Sequence, residues 1–412
     1  MTFYKETEFQ DTSIGKIPKD WEVGDASLIN VLKGYAFSSE FFNGKKDGIP
    51  LIRIRDLAKK ETESHYSGRY DPAYLVKKGD ILISMDGEFD VYLWDGPEGL
   101  LNQRVCKVWS KETAKLNTIF LFYELQKPLK ILESQISQTT VKHLLDRDLE
   151  RIKIPVPSLE EQRAIVGVLG VVDSAIELVD KVIAKTERLK KGLMQTLLTK
   201  GIGHTEYKDT PIGKTPKTWQ IVKIGDIAET SSGGTPSRAR KEYFEGNIPW
   251  VKSGELKDNT IYDTEEKITK EGLQNSAAKM FPKRTLLTAM YGATVGKTAI
   301  LGIDATTNQA ICAILPKDDA FDPQFLRYYI VFRREQMIAI SAGGAQPNIS
   351  QEIIRATKIT LPPLQEQRKI ADILSTADKK LELERAEKAR LERAKRGFMD
   401  LLLTGKVRVK VD

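Results

Sequence analysis

The sequence predicts an α+β protein: two similar globular domains and two long helices that pair as an antiparallel coiled coil. Three observations carry this expectation. The chain repeats itself once along its length. Each repeat opens with turn-punctuated β-like runs mixed with helical stretches. Each then closes on a long heptad pattern.

The repeat is plain in the residues. Thr7-Glu-Phe-Gln-Asp-Thr-Ser-Ile-Gly-Lys-Ile-Pro-Lys-Asp-Trp21 recurs as Thr205-Glu-Tyr-Lys-Asp-Thr-Pro-Ile-Gly-Lys-Thr-Pro-Lys-Thr-Trp219, with ten of fifteen positions identical at an offset of 198. Ile49-Pro-Leu-Ile-Arg53 is echoed by Ile248-Pro-Trp-Val-Lys252, and Asn102-Gln-Arg-Val-Cys106 by Asn308-Gln-Ala-Ile-Cys312. Leu159-Glu-Glu-Gln-Arg-Ala-Ile165 returns as Leu364-Gln-Glu-Gln-Arg-Lys-Ile370. The matches keep their order at a nearly constant offset, which is the mark of a duplication. The two cysteines occupy the same place in each half, so they read as one small core residue present twice rather than as a disulfide.

Within each half, residues 7–155 and 205–360 mix short β-like runs with helical stretches. Asp80-Ile-Leu-Ile-Ser84 and Thr285-Leu-Leu-Thr288 are such runs, and Ile119 to Leu132 and Pro323 to Ile340 are such helices. The segments that follow are different. Ile165, Leu169, Val172, Ile176, Val179, Ile183 and Thr186 recur at alternating spacings of four and three, and the seam resumes at Leu193 and Leu197 after a lapse at Lys190. Ser158-Leu-Glu-Glu161 supplies a capping box, and Gly201 follows the end. The second seam runs through Ile370, Leu374, Ala377, Leu381, Leu391, Phe398 and Leu402, with Glu384 and Lys388 making its middle polar. At ~1.5 Å per residue, about 38 helical residues span ~57 Å, and antiparallel pairing puts the domains at opposite ends of a rod. The expected division is therefore 1–157 and 201–362 for the two domains, and 158–200 and 363–412 for the two helical segments.

Composition excludes several classes. The 412 residues carry 64 Lys+Arg against 57 Asp+Glu, a net charge of +7 that permits an anionic partner without requiring one. Two cysteines and three scattered histidines give neither a disulfide framework nor metal-ligand spacing. The N-terminus has no secretory pattern, and the longest apolar stretch, Ala164 to Val172, is about half a membrane span, so a cytoplasmic location is expected.

No motif builds an active site. Gly292-Ala-Thr-Val-Gly-Lys-Thr298 has three residues between its glycines where a P-loop needs four, and reads as a loop between strands carrying Lys297 outward. Asp71-Pro-Ala-Tyr74 resembles the base-holding loop of amino-methyltransferases but lacks the glycine-rich cofactor motif that would accompany it. Glu265-Glu-Lys267 is the tail of a nuclease triplet common in charged loops. His65, His143 and His204 lack nucleophile partners at useful spacing. What remains are basic, hydroxyl and amide side chains on turn-rich segments. In the first domain these are Lys33, Arg53, Arg55, Arg69, Gln138, Thr139, Thr140 and Lys142. In the second they are Thr235, Arg238, Arg240, Lys252, Ser253, Lys297, Gln346 and Asn348. Arg and Lys suit guanine edges and phosphates, and Asn and Gln suit adenine edges. Taken singly, each is more simply read as solvated surface; the duplicated architecture is what lends them weight as a DNA-reading set.

The order domain, helix, domain, helix resembles the DNA-specificity (S) subunit of type I restriction–modification systems. The resemblance rests on Ile154-Pro-Val-Pro-Ser-Leu-Glu-Glu-Gln-Arg163 and Ile359-Thr-Leu-Pro-Pro-Leu-Gln-Glu-Gln-Arg368, each opening a helix. Leu193-Met-Gln-Thr-Leu-Leu-Thr199 and Phe398-Met-Asp-Leu-Leu-Leu-Thr404 each close one. Ser232-Gly-Gly-Thr-Pro-Ser237, Gly344-Ala-Gln-Pro-Asn-Ile-Ser350, Gly34-Tyr-Ala-Phe37 and Thr139-Thr-Val-Lys-His-Leu144 add to it. It implies a non-catalytic subunit whose two target recognition domains each read one half of a bipartite double-stranded DNA site. The helices would set the gap and dock two methyltransferase (modification) subunits, with restriction (motor/nuclease) subunits joining through them. S-adenosylmethionine, ATP and Mg would belong to those partners, and no cofactor to this chain. Recognition domains vary across the family, so no base-contacting residue carries over. The alternative is a coiled-coil assembly scaffold without DNA specificity; a further rival is an NTPase using Gly292 to Thr298.

Overall fold

The structure, a computed structural model, describes residues 2–136, 142–340 and 348–410. It divides into two compact units: Met1–Asp180 with Glu387–Asp412, and Lys181–Ala386. Four helices organise them: α1 (Thr118–Gln135), α2 (Leu159–Lys200), α3 (Pro323–Ile340) and α4 (Leu364–Leu402). The expected segment 158–200 coincides with α2, but α4 ends at Leu402 rather than running to 412, because Val407–Val409 turns back as a strand; the compact units also divide both helices, so each unit owns a globular domain and a stretch of each long helix.

In the first unit, Val91–Leu93, Ile81–Ser84, Val105–Ser110 and Ile29–Lys33 form an antiparallel sheet in that order. A second sheet runs Phe42–Asn43, His65–Tyr66, Ile49–Ile52, Gly99–Leu101, Leu75–Val76, with Gly99–Leu101 parallel to Ile49–Ile52. The second unit repeats the plan. Ala228–Ser232, Ile311–Pro316, Leu286–Ala289, Thr298–Leu301 and Asn259–Ile261 make one sheet, and Glu266–Ile268, Phe244–Val251, Ala305–Thr307 and Met280–Phe281 the other. Where the chain leaves Ile29–Lys33, a Cβ on Gly34 would lie 1.9 Å from the Asn102 carbonyl oxygen; on Gly233 it would lie 2.0 Å from that of Thr307. Only glycine fits at either crossing. Cys106 and Cys312 form no disulfide, each is fully buried in its own unit, and burial pushes the Cys312 thiol up to about 12.

Each domain is welded to the helices by the same side chains. The Trp21 indole N–H donates to Glu161 (3.1 Å), and Trp219 donates to Glu366 (3.0 Å). The expected capping box is half realised: Ser158 Oγ accepts the Glu161 N–H at 3.3 Å, while the Glu161 carboxylate accepts from Trp21 and Arg408. Next to it, the fully buried Gln162 donates to the Lys115 and Pro157 carbonyls (2.7 and 2.9 Å) and accepts from the Asn117 N–H (2.7 Å). Gln367 likewise donates to Pro362 (2.9 Å) and accepts from Asp322 (2.9 Å). Asn117 and Asp322 in turn cap α1 and α3 through their side-chain oxygens. The repeated Glu-Gln at the start of each long helix is therefore a joint.

The tail beyond each long helix closes on the same place. Gly405 packs against Pro18 and Trp21, and Arg408 binds Glu161 (2.6 and 2.7 Å), Glu6 (2.7 Å) and Asp20 (2.8 and 2.9 Å). The hydrogen bond from Arg408 holds the Asp20 carboxyl below its ordinary value against the opposing effect of burial. In the second unit Gly201 packs against Trp219, and His204 Nε2 lies 2.9 Å from Glu366. Phe3–Lys5 pairs antiparallel with Val407–Val409, so the two ends of the chain share a ladder.

The long helices pair antiparallel. In the first unit Asp173 meets Lys395 (2.6 Å) and Asp180 meets Lys388 (2.6 Å); in the second Thr186 donates to Glu384 (3.1 Å), Glu187 meets Arg385 (2.6 Å) and Lys190 meets Asp378. The Lys190 lapse and the polar middle of the second seam are thus cross-helix pairs. Tyr123 donates to Asp173 (2.7 Å) beneath Lys395, and Tyr328 to Asp378 (2.6 Å) beneath Lys190, again one arrangement made twice. Of the seam residues, Ile165, Leu169, Leu197, Ile370, Leu374, Ala377, Leu381 and Leu402 are buried, and Val172, Ile176, Val179, Ile183, Leu193 and Leu391 are half-buried. Phe398 stands 37% exposed, and its neighbour Met399 packs on the core instead.

Removing a Gln joint strands buried backbone groups. Gln162→Ala and Gln367→Ala are each expected to cost about 2–4 kcal/mol. Native-state hydrogen exchange checks this: protection should fall in the unit that holds the substitution and stay unchanged in the other.

Candidate nucleic-acid interface

Each domain places a basic residue where its parallel-paired strand ends. Arg53 follows Ile49–Ile52 and Lys252 follows Phe244–Val251. The turn is built identically: the Arg53 N–H donates to Asp56 (3.0 Å), and the Lys252 N–H to Glu255 (2.9 Å). The side chains differ. The Arg53 guanidinium has Nε 3.5 Å from Asp56 Oδ2, while its Nε and Nη2 are buried with no hydrogen-bond partner among the described residues. Lys252 binds Glu265 (2.8 Å) and Glu266 (3.0 Å).

Around Lys252 the second domain assembles a charged cluster. Arg238 donates to Glu266 at 2.6 Å and lies over the rings of Phe244 (4.4 Å) and Trp250 (5.1 Å). The Arg238 hydrogen bond, with that from Lys252, holds the Glu266 carboxyl below its ordinary value. Arg240 binds Glu242 (3.2 Å), the Thr235 hydroxyl donates to Gln309, and the Ser253 carbonyl accepts from Thr294 (3.0 Å). Arg238, Lys252 and Thr235 thus hang from one group of elements, whereas Lys297 belongs to another.

Lys297 remains partly exposed on its loop, but it is paired. Its ammonium meets Asp258 at 3.1 Å, and Asp258 also binds Arg334 and accepts from the Thr298 N–H and hydroxyl (both 3.0 Å). Burial pushes the Asp258 carboxyl up, but Arg334, the Thr298 amide and Lys297 outweigh it and hold it below 3.8. Gly292 to Thr298 connects the strands Leu286–Ala289 and Thr298–Leu301, with its lysine tied to Asp258. Asp71 is likewise structural, its carboxylate accepting the Ala73 N–H at 2.8 Å.

In the first domain, Lys33, Arg55 and Arg69 are exposed, and Lys142 pairs with Glu133 at 3.4 Å. Asn348 is exposed. Gln138, Thr139, Thr140 and Gln346 lie outside the described residues. Sequence reasoning missed Asp86, which binds His143 (2.7 Å) and Arg104 (3.4 Å), and the exposed rings of Tyr35 and Tyr262. It also missed the Tyr123–Asp173–Lys395 and Tyr328–Asp378–Lys190 sets, which a search for residues shared at the repeat offset of 205 would have found. Among the described residues, no group of three or more His, Cys, Asp or Glu is placed to hold a metal ion, and no helix is long and apolar enough to cross a membrane.

Two sheet domains, each joined by the same buried contacts to an antiparallel helix pair, define a duplicated recognition module on a helical frame. The chain belongs to the type I restriction–modification DNA specificity family: the model of the type I restriction modification DNA specificity domain matches residues 18–188 and 216–393. The MjaVIII specificity subunit of Methanocaldococcus jannaschii is 29% identical over 100% of this chain and 98% of its own length. The putative MjaX specificity subunit of the same organism is 30% identical over 100% and 99%. The EcoBI specificity subunit of Escherichia coli is 29% identical over 84% and 76%. Among solved structures, a type I restriction-modification S subunit from M. genitalium superposes with a TM-score of 0.62 at 17% identity, covering 93% of this chain and 96% of that one.

Because the Asp258 carboxyl is held below 3.8, its contribution to stability is full above that value and lost as the pH falls through the lowered one. Asp258→Asn should therefore melt well below the native chain at pH 7, and the gap between them should close in acid. Urea melts at a series of pH values check the sign.

Proposed function

We propose that the chain is the DNA-recognition subunit of a type I restriction–modification complex. Each globular domain reads one half of a bipartite duplex site, and the helix pair sets the gap between halves. The observation that carries this is the duplicated joint: Trp21–Glu161–Gln162 and Trp219–Glu366–Gln367 fix two like domains to the helix pair in the same way. Two weak readers held on one frame bind a spaced pair of sites far more tightly than either alone. Arg53 and Lys252, set at equivalent turns, are the first base- or phosphate-contact candidates, followed by Arg238.

The chain itself performs no chemistry in this reading. Catalysis belongs to two methyltransferase subunits docked on the helices and to restriction subunits that join them, which carry S-adenosylmethionine, ATP and Mg. Exposed apolar residues on α2 support such docking. Val168, Val171, Leu178, Val182 and Leu189 recur at heptad spacing beside the paired seam, and Val171, Leu178 and Leu189 are 71%, 63% and 57% exposed. An apolar stripe of that kind suits a further helix.

Selection of random duplex DNA by the chain with its methyltransferase partner should yield a two-part motif with a fixed gap; absence of enrichment over non-specific binding would sink the reading. Lengthening α2 by a few residues should change the preferred gap and leave both half-sites intact. Arg238→Ala should weaken binding by about 1–3 kcal/mol and relax sequence preference in one half-site only, as competition titrations at fixed salt would measure. Val171→Glu with Leu178→Glu should reduce methyltransferase co-purification without lowering the melting temperature.

A further inference from the structure

Where the parallel-paired strands end, an exposed side chain is the same in both domains while its neighbours differ. Gly99–Leu101 runs on into Asn102 and Gln103, and Ala305–Thr307 into Asn308 and Gln309. The two corners are built alike. The Asn102 N–H donates to the Ile52 carbonyl (3.2 Å), immediately before Arg53, and the Asn308 N–H to that of Val251 (3.0 Å), immediately before Lys252. The Asn102 carbonyl accepts the Val105 N–H (3.2 Å) and the Asn308 carbonyl that of Ile311 (3.3 Å), so each glutamine is the second residue of a β-turn. The carbonyl that follows is tied as well, Arg104 to the Met85 N–H (2.9 Å) and Ala310 to that of Met290 (2.8 Å). Gln103 and Gln309 are both exposed on these held corners.

The positions around them have diverged. Arg53 stands where the second domain has Lys252, Arg104 where it has Ala310, Tyr35 where it has Gly234, and Ala36 where it has Thr235. The Gln309 amide oxygen accepts from the Thr235 hydroxyl, a bond that Ala36 cannot make to Gln103. The shared glutamine is therefore not kept for that contact. Where two domains read different bases, the side chains that read them must differ. A side chain held the same, on the same held turn, suits a feature present in both halves. An exposed glutamine offers donor and acceptor side by side, which together match the N7 and N6 edge of adenine. A phosphate would use the donor alone.

We propose that Gln103 and Gln309 each read an adenine in the major groove of their own half-site, the amide nitrogen donating to N7 and the amide oxygen accepting from the N6 amino group. This rests on the DNA-recognition reading above and adds to it one base common to both halves. The diverged neighbours, Arg53 with Tyr35 in one domain and Lys252 with Thr235 in the other, then supply the difference between half-sites. In the second domain the Thr235 hydroxyl takes one lone pair of the Gln309 oxygen and leaves the other for the base.

Titration of the duplex selected by the chain with its methyltransferase partner tests this contact. One adenine in each half-site should be required. Replacing that adenine by 7-deazaadenine, which lacks the N7 acceptor, should weaken binding about 10-fold in either half. Gln103→Leu should cost as much in one half-site, add nothing to the deaza substitution there, and leave the other half-site as it was. Gln309→Leu should do the converse, and neither should lower the melting temperature. A glutamine that only shaped its turn would lower the melting temperature and add its loss to that of the deaza base. Equal weakening of selected and random duplexes would make the glutamines phosphate contacts and overturn the proposal, as would a two-part motif with no adenine tied to either residue. Both outcomes leave the two-part motif standing, whereas no motif at all would end the DNA-recognition reading and this inference with it.

Discussion

Everything else in the molecule depends on the joint between sheet domain and long helix. A carboxylate one turn into the helix receives an indole N–H from a tryptophan near the start of the domain, and the next residue, a buried glutamine, ties together the helix start and the cap of the domain's own helix. Glu161 and Gln162 do this in one unit and Glu366 and Gln367 in the other. Glutamine suits the task because its amide donates and accepts at once, satisfying backbone groups that burial would otherwise leave unpaired. A domain held this way keeps its orientation on the helix, and a recognition surface is only as specific as its orientation is fixed.

The helix pair is held by apolar seam residues at its ends and by charges toward its middle. Asp173, Asp180 and Asp378 each face a lysine of the partner helix, and Tyr123 and Tyr328 bring the domains into the same hydrogen-bonded sets. Exposed pairs contribute little individually, but half-buried ones set register because a shift leaves charges unpaired. Family membership and the duplicated joints lead to the same conclusion about function from independent directions.

Duplication also exposes where the halves have parted. Arg408 and His204 occupy the same position after each long helix and meet equivalent carboxylates, yet one gathers three acids and the other a single one. Glu124 and Tyr329 share a helix position and differ completely in how their polar atoms are met. Such divergence at matched positions is informative because the surrounding fold is held constant.

The sequence by itself determined the duplication, the two sheet domains and the length and seam of both helices, since these follow from periodicity and turn chemistry that act locally. Asp80 to Ser84 and Pro323 to Ile340 needed no tertiary information to be recognised as strand and helix. Most of the candidate interface was not legible in this way. Arg53, Arg238 and Lys252 could be named as basic residues on turns, but whether each is free, stacked or committed to a carboxylate depends on Asp56, Phe244, Trp250 and Glu266, which folding brings alongside. Lys297 read as an outward lysine because Asp258, 39 residues away, is invisible to local pattern. Only the tertiary structure decided which charges were already spent, because pairing and burial depend on distance in space and not along the chain.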